Sequence, residues 1–149
     1  MQPIKSKKGR IIIILKRHFP RKGDIFFLEE KNSFGVEIAG NRPVLIIQND
    51  IGNMYSHTTL VAPLTSSECK KVLPTHVFLA RDRCGIRKNS RVLLEQIKAI
   101  DIDRLDRYII TLDEDIMKKV DVAIATSFGI NQPERKTWYG RQYSIQTTH

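Results

Sequence analysis

The sequence predicts a small, mainly β domain closed by a C-terminal helix, and three observations carry that reading. Short runs rich in β-branched and aromatic residues recur at close spacing. Turn-forming residues punctuate them at Gly52-Asn53, Lys70-Lys71 and Gly85. Beyond Asp113 the apolar period changes from alternation to helical spacing. Strands this closely spaced suggest a small barrel, and 149 residues suit one domain with a modest core.

Taken in order, the chain opens on a basic segment. Residues 1–22 hold eight Lys/Arg and no acidic residue, although the whole chain carries 25 basic and 16 acidic side chains. The formal charge of +9 is therefore concentrated in the first 22 residues, and the rest is nearly neutral. Net charge then says little about the domain itself, whereas a local basic patch still counts. Within that segment the five apolar residues Ile11–Leu15 cannot span a bilayer. They also fall short of the ~7–15-residue core of a signal peptide, so a cytoplasmic location is expected. The segment reads as a disordered basic arm, an added edge strand, or the product of an upstream start.

Asp24–Leu28 is the first expected strand. Glu29–Asn41 is a polar connection with Gly35 and Gly40, long enough to cover a site. Val44–Ile47 follows Pro43 and is apolar at every position, the pattern of a strand buried on both faces. Thr58–Leu64, Thr75–Ala80 and Arg91–Ile100 supply further strands. Asp103–Ile110 reads as a short helix with Leu105, Tyr108 and Ile109 on one side. The last element is an amphipathic helix with Ile116, Val120, Ala123 and Ile124 at helical spacing, Asp113-Glu114-Asp115 at its start and Gly129 as its stop. Past Asn131 the tail is polar, with Trp138, Tyr139 and Tyr143 among Arg135, Lys136 and Arg141. Such interleaving can stack on bases, but a terminal extension is more often disordered, and disorder is the expectation.

Cys69 and Cys84 are too few for a disulfide framework and read as free thiols. His18, His57, His76 and His149 lack the spacing of a metal site, so metal-free chemistry without a cofactor is expected. Arg42 stands where a strand begins, before Pro43. A guanidinium there suits phosphate, and its bland alternative is a surface ion pair. A local basic excess gathers at Arg81, Arg83, Arg87, Lys88, Arg91 and Lys98, against Asp82 and Glu95. It would track a phosphate backbone or simply decorate a solvated loop.

Five blocks come in order: Lys22-Gly-Asp-Ile-Phe-Phe27, Gly40-Asn-Arg-Pro-Val-Leu-Ile-Ile-Gln-Asn-Asp-Ile-Gly-Asn53, Val61-Ala-Pro-Leu-Thr65, Leu73-Pro-Thr-His-Val77 and Leu93-Leu-Glu-Gln-Ile97. Together they resemble the MazF (PemK-like) toxins, sequence-specific mRNA endoribonucleases of type II toxin–antitoxin pairs. The resemblance implies an SH3-like, strongly bent barrel and a likewise metal-independent cut of single-stranded RNA. It implies a homodimer whose interface groove holds the RNA, and a MazE-like antitoxin that fills the same groove. The domain would span 20–130, with 1–19 a basic N-terminal extension and 131–149 a C-terminal tail.

Residue by residue, the resemblance puts the catalytic pair at Arg42 and Thr65. Arg42 has the planar fork to hold two phosphate oxygens and too high a pKa to act easily as an acid, so electrostatic stabilisation is its expected role. Thr65 would donate to a phosphate oxygen or orient the 2′-hydroxyl; otherwise it satisfies its own backbone. His57 and His76 match no catalytic position, and His76 is expected to pack in a strand. Gln96 can read a base edge, Glu95 can hold Arg42 or a neighbouring basic residue, Arg87 and Lys88 can contact phosphates, and Phe34 can stack. The loop departs from its relatives: Gly35-Val-Glu-Ile-Ala-Gly40 keeps Glu37 but places Val36 and Ile38 where polar residues are common. Two rival readings are a non-enzymatic toxin of the same fold, acting on a protein such as DNA gyrase, and a basic nucleic-acid-binding barrel.

Overall fold

The computed structural model describes residues 18–29, 41–66 and 71–130. Among them, seven strands are β1 (Asp24–Leu28), β2 (Arg42–Ile46), β3 (Thr58–Thr65), β4 (His76–Leu79), β5 (Ser90–Leu93), β6 (Lys98–Asp101) and β7 (Leu105–Thr111). The helices are α1 (Asp50–Tyr55), α2 (Arg81–Cys84) and α3 (Glu114–Phe128). The sheet runs β4-β5-β3-β2-β1-β7, with β6 also on β3, and every pairing is antiparallel. Among the described residues no helix is long and apolar enough to cross a membrane.

β3 is the hub. Its first half pairs with β6, its last two residues pair with β5, and its other edge pairs with β2. A strand that serves two partners along one edge must bend, and the sheet curls with it. Alternation along β2 then feeds two separate cores. Leu45 and Ile47 join Ile25, Ala62 and Leu64 beneath α3, while Val44 and Ile46 join Phe26, Leu28, Val61 and Ile100 on the opposite face. The run Val44–Ile47 is buried throughout for that reason.

α3 seats Ile116, Val120 and Ala123 on the first core. Asp113 caps it by accepting the Ile116 N–H at 2.9 Å, and Gly129 ends it at φ 67°, a left-handed conformation that costs glycine least.

Three elements differ from expectation. Arg91–Ile100 is not one strand. Between the pairs Leu64↔Val92 and Val61↔Lys98, β3 moves three residues while its partner moves six; the 3-10 turn Leu94–Gln96 takes up the excess. Glu95 and Gln96 consequently sit on that turn and do not end a strand. Asp103–Ile110 is not a helix: after the 3-10 turn Ile102–Arg104 the chain becomes β7, paired with β1. Two register shifts in that pairing break the alternation that would have marked a strand. Gly52-Asn53 lies inside α1, because Asn49 caps the helix by accepting the Gly52 N–H at 2.7 Å. The segments 1–17, 30–40, 67–70 and 131–149 lie outside the described residues, and with them the basic arm, most of the Glu29–Asn41 connection, Cys69 and the aromatic tail.

Two buried groups give direct tests of this packing. Asn53, fully buried, donates to Gln48 O at 3.0 Å and accepts from the buried Thr59 hydroxyl at 2.7 Å. Asn53→Ala leaves that hydroxyl without its acceptor and should cost about 1–3 kcal/mol in urea unfolding. Burial, and after it the charge of Asp113, push the Cys84 thiol above its usual range, with Arg83 pulling the other way. A raised thiol pKa stabilises the fold below the unfolded value and loses that contribution as pH climbs through the folded one. At pH 8 iodoacetamide should therefore label Cys84 slowly in the folded protein and readily in urea.

Candidate functional site

β2 and β3 bring Arg42 and Thr65 together. Their pairing ends at Val44 with Pro63, and Arg42 and Thr65 each lie two residues beyond that last pair, at the same end of the two strands. On the outer side Thr65 pairs with Arg91 and Arg42 pairs with Leu28. Both residues are half-buried and both line a hollow of about 730 Å³ at this end of the sheet. Pro43 explains the local geometry: it holds an extended backbone, and its place beside Phe27 sets Arg42 at the very start of the strand.

The hollow has an apolar floor of Phe27, Pro43, Leu64, Ile86 and Ile109. Around it stand Arg42, Arg87, Lys88 and Arg107, with hydroxyls from Thr65 and Ser66, and no carboxylate lines it among the described residues. Four cations around an apolar floor suit a chain that is anionic along its backbone and flat and apolar in its bases. Arg107 was missed in the sequence because its segment reads as a helix. In the sheet it pairs with Phe27, and its guanidinium lies over that ring at 5.7 Å from the centroid.

α2 and its exit place Arg87 and Lys88. The one-turn helix ends at Gly85 with φ 67°, where an added Cβ would meet Ile110 Cδ1 at 2.8 Å. The chain can therefore turn here tightly, sending Ile86 into the core and leaving Arg87 and Lys88 exposed at the hollow.

Glu95 and Gln96 are not among the residues lining the hollow. Glu95 accepts from Thr75 Oγ1 at 2.9 Å and from His76 Nε2 at 2.8 Å, and the His76 side chain is only 5% exposed. Glu95 thus holds basic neighbour His76, which packs as expected, and pins the turn that carries Gln96. His57 is exposed, and its carbonyl accepts from Ile102 N at 2.9 Å. Phe34 and Glu37 lie outside the described residues.

Comparison with known proteins adds to this geometry. A model of the PemK-like, MazF-like toxins of type II toxin–antitoxin systems matches residues 21–128. Endoribonuclease EndoA of Bacillus subtilis is 44% identical over 110 residues, covering 74% of this chain and 95% of its own length. Endoribonuclease MazF of Staphylococcus epidermidis is 41% identical over 111 residues, covering 74% and 92%. Among solved structures, MazF from Deinococcus radiodurans superposes with a TM-score of 0.65 at 21% identity, over 76% of this chain and all of that one. A mycobacterial endoribonuclease in complex with its cognate antitoxin gives 0.60 at 23%, over 76% and 99%. At those identities the structures speak for the fold alone.

Proposed function

We propose, from the premise that the chain belongs to the family of PemK-like, MazF-like toxins of type II toxin–antitoxin systems, that Arg42 and Thr65 form its catalytic pair. The chain is the toxin of such a pair, an endoribonuclease that cuts single-stranded mRNA and so arrests translation and growth. The observation that supports the assignment is that Arg42 and Thr65, each just past the last β2–β3 pair, line one cation-rimmed hollow.

The reaction forms a bond from the ribose 2′-oxygen to phosphorus and breaks the bond from phosphorus to the departing 5′-oxygen. The products are a 2′,3′-cyclic phosphate and a free 5′-hydroxyl, and the 2′-proton is balanced by the one delivered to the leaving group. Negative charge builds on the two non-bridging oxygens, and the Arg42 fork is shaped to meet both. The Thr65 hydroxyl donates to one of them or orients the 2′-hydroxyl. Arg87 and Lys88 hold flanking phosphates, and Arg107 joins them. Gln96, with Phe34 and Glu37 from the connecting loop, reads the bases, while Glu95 positions Gln96 through its bonds to Thr75 and His76.

The working unit is a homodimer in the cytoplasm, inhibited by a MazE-like antitoxin, with the domain at 20–130 and extensions at 1–19 and 131–149. The first test is incubation with a long single-stranded RNA in EDTA, mapping cut ends by primer extension. Recurrent cuts at one short motif support the reading, and an intact RNA beside a folded protein overturns it. Replacing both Arg87 and Lys88 by Ala should flatten the plot of log binding constant against log salt by about 1.4, since each phosphate contact to a single strand contributes about 0.7.

A further inference from the structure

We propose that the hollow between residues 18–20 and β7 is a second base-binding subsite, which takes a nucleobase flanking the cleaved motif. The inference rests on the endoribonuclease reading and extends it. This hollow, about 450 Å³, is walled by His18, Phe19, Phe26 and Tyr108, with Asp106 and Arg107 as its charged members. Arg107 and Tyr108 also line the catalytic hollow, so the two adjoin along β7. A strand leaving the first would meet the second across Arg107.

The aromatic wall is held in place before anything binds. Asp24, 1% exposed, accepts from the Arg21 backbone N–H at 2.9 Å and from His18 Nε2 at 2.8 Å. Its other oxygen accepts from Thr111 Oγ1 at 2.6 Å, which in turn bonds the Tyr108 hydroxyl at 2.8 Å. That chain of bonds fixes the imidazole over the Tyr108 ring, with centroids 4.1 Å apart and planes at 27°. Phe26 braces Tyr108 edge-on at 5.7 Å. His18 is 41% exposed and Phe19 is 47% exposed, so each keeps a ring surface for a ligand. An ordered ring with one open face is a stacking platform, and bases stack on such rings whatever their identity. Arg107 supplies charge for the intervening phosphate. Asp106 can accept from the exocyclic amino group of adenine, cytosine or guanine, or from the ring N–H of guanine or uracil. His18 and Phe19 lie upstream of residue 21, where the family match begins, and the rest of the named wall lies within it.

The test measures binding and cleavage separately. Binding is read by fluorescence anisotropy on 2′-O-methyl RNAs, which cannot be cut by 2′-attack: one short enough to fill only the catalytic hollow, one extended at both ends. His18→Ala and Phe19→Ala should each weaken the longer RNA about tenfold and leave the shorter unchanged. His18→Phe, which keeps a ring but loses the bond to Asp24, should recover most of the loss. Phe19 takes no part in the Asp24 network, so Phe19→Ala guards against a fold defect in the first variant. Equal losses on both RNAs, no loss on either, or a changed oligomeric state in gel filtration would overturn the subsite. Cleavage of the short unmodified RNA by the parent and by both variants alike tests the endoribonuclease reading by itself.

Discussion

Arg42→Ala is expected to slow RNA cleavage by on the order of a hundredfold or more, with a thermal midpoint close to the parent's. The reason lies in where the charge is spent. Removing one preorganised charge stabiliser typically costs about 10²–10³ in rate, because the transition state carries charge on the phosphoryl oxygens that the ground state does not. Arg42 is half-buried at the first position of β2, with the second core beginning at Val44, so its truncation opens no cavity. Single-turnover cleavage of a motif-bearing RNA should thus fall while binding changes far less. Arg42→Lys should recover little, since an ammonium cannot hold two oxygens in one plane. A parent-like rate in Arg42→Ala would remove Arg42 from the catalytic pair.

Leu45→Ala should do the reverse. Leu45 is fully buried in the core beneath α3, one strand from both Ile25 and Ala62. Truncating a buried leucine costs about 2–5 kcal/mol, the spread reflecting how far the neighbours close the gap. For a domain of this size that corresponds to a fall of roughly 10–30 °C in thermal midpoint. Below that midpoint, cleavage per folded molecule should stay near the parent's, because Leu45 is not among the residues lining the hollow. The two variants together separate chemistry from folding: one loses rate and keeps its midpoint, the other loses its midpoint and keeps its rate. If Leu45→Ala lost rate per folded molecule as steeply as Arg42→Ala, the shared residues Leu64, Ile86 and Ile109 would be transmitting core damage to the hollow.

Much of the fold was legible because local signals and tertiary contacts agree. Asp24–Leu28 and Thr58–Leu64 alternate or run apolar where the sheet buries them, and Asp113 and Gly129 bracket α3 through capping bonds that need no distant partner. What was hidden depends on contacts far along the chain. β7 takes its bulges from β1, so no two-residue period survives for the eye to find. The break at Leu94–Gln96 is dictated by a change of position along β3, which sequence spacing does not encode. α1 was masked by Gly52-Asn53, whose turn-forming character is outweighed by the Asn49 cap and the buried Asn53 side chain. At the site, Arg42 and Thr65 were named through family likeness, and the structure places both in the lining of one hollow. Arg107 stayed hidden with β7, and Glu95 proved to be occupied by His76 and Thr75.

The pairing of β1 with β7 also bears on when the molecule comes to life. Asp24 and Thr111 join across 87 positions, and the Leu112 N–H reaches back to Gly23 O at 2.9 Å. During synthesis β1 emerges from the ribosome early, and its outer edge stays unpaired until β7 follows it out. Arg107 and Ile109, both on β7, line the hollow beside Arg42 and Thr65, so a nascent chain has no complete groove until β7 is released. A toxin built in this order acquires its full groove only after β7 has left the ribosome.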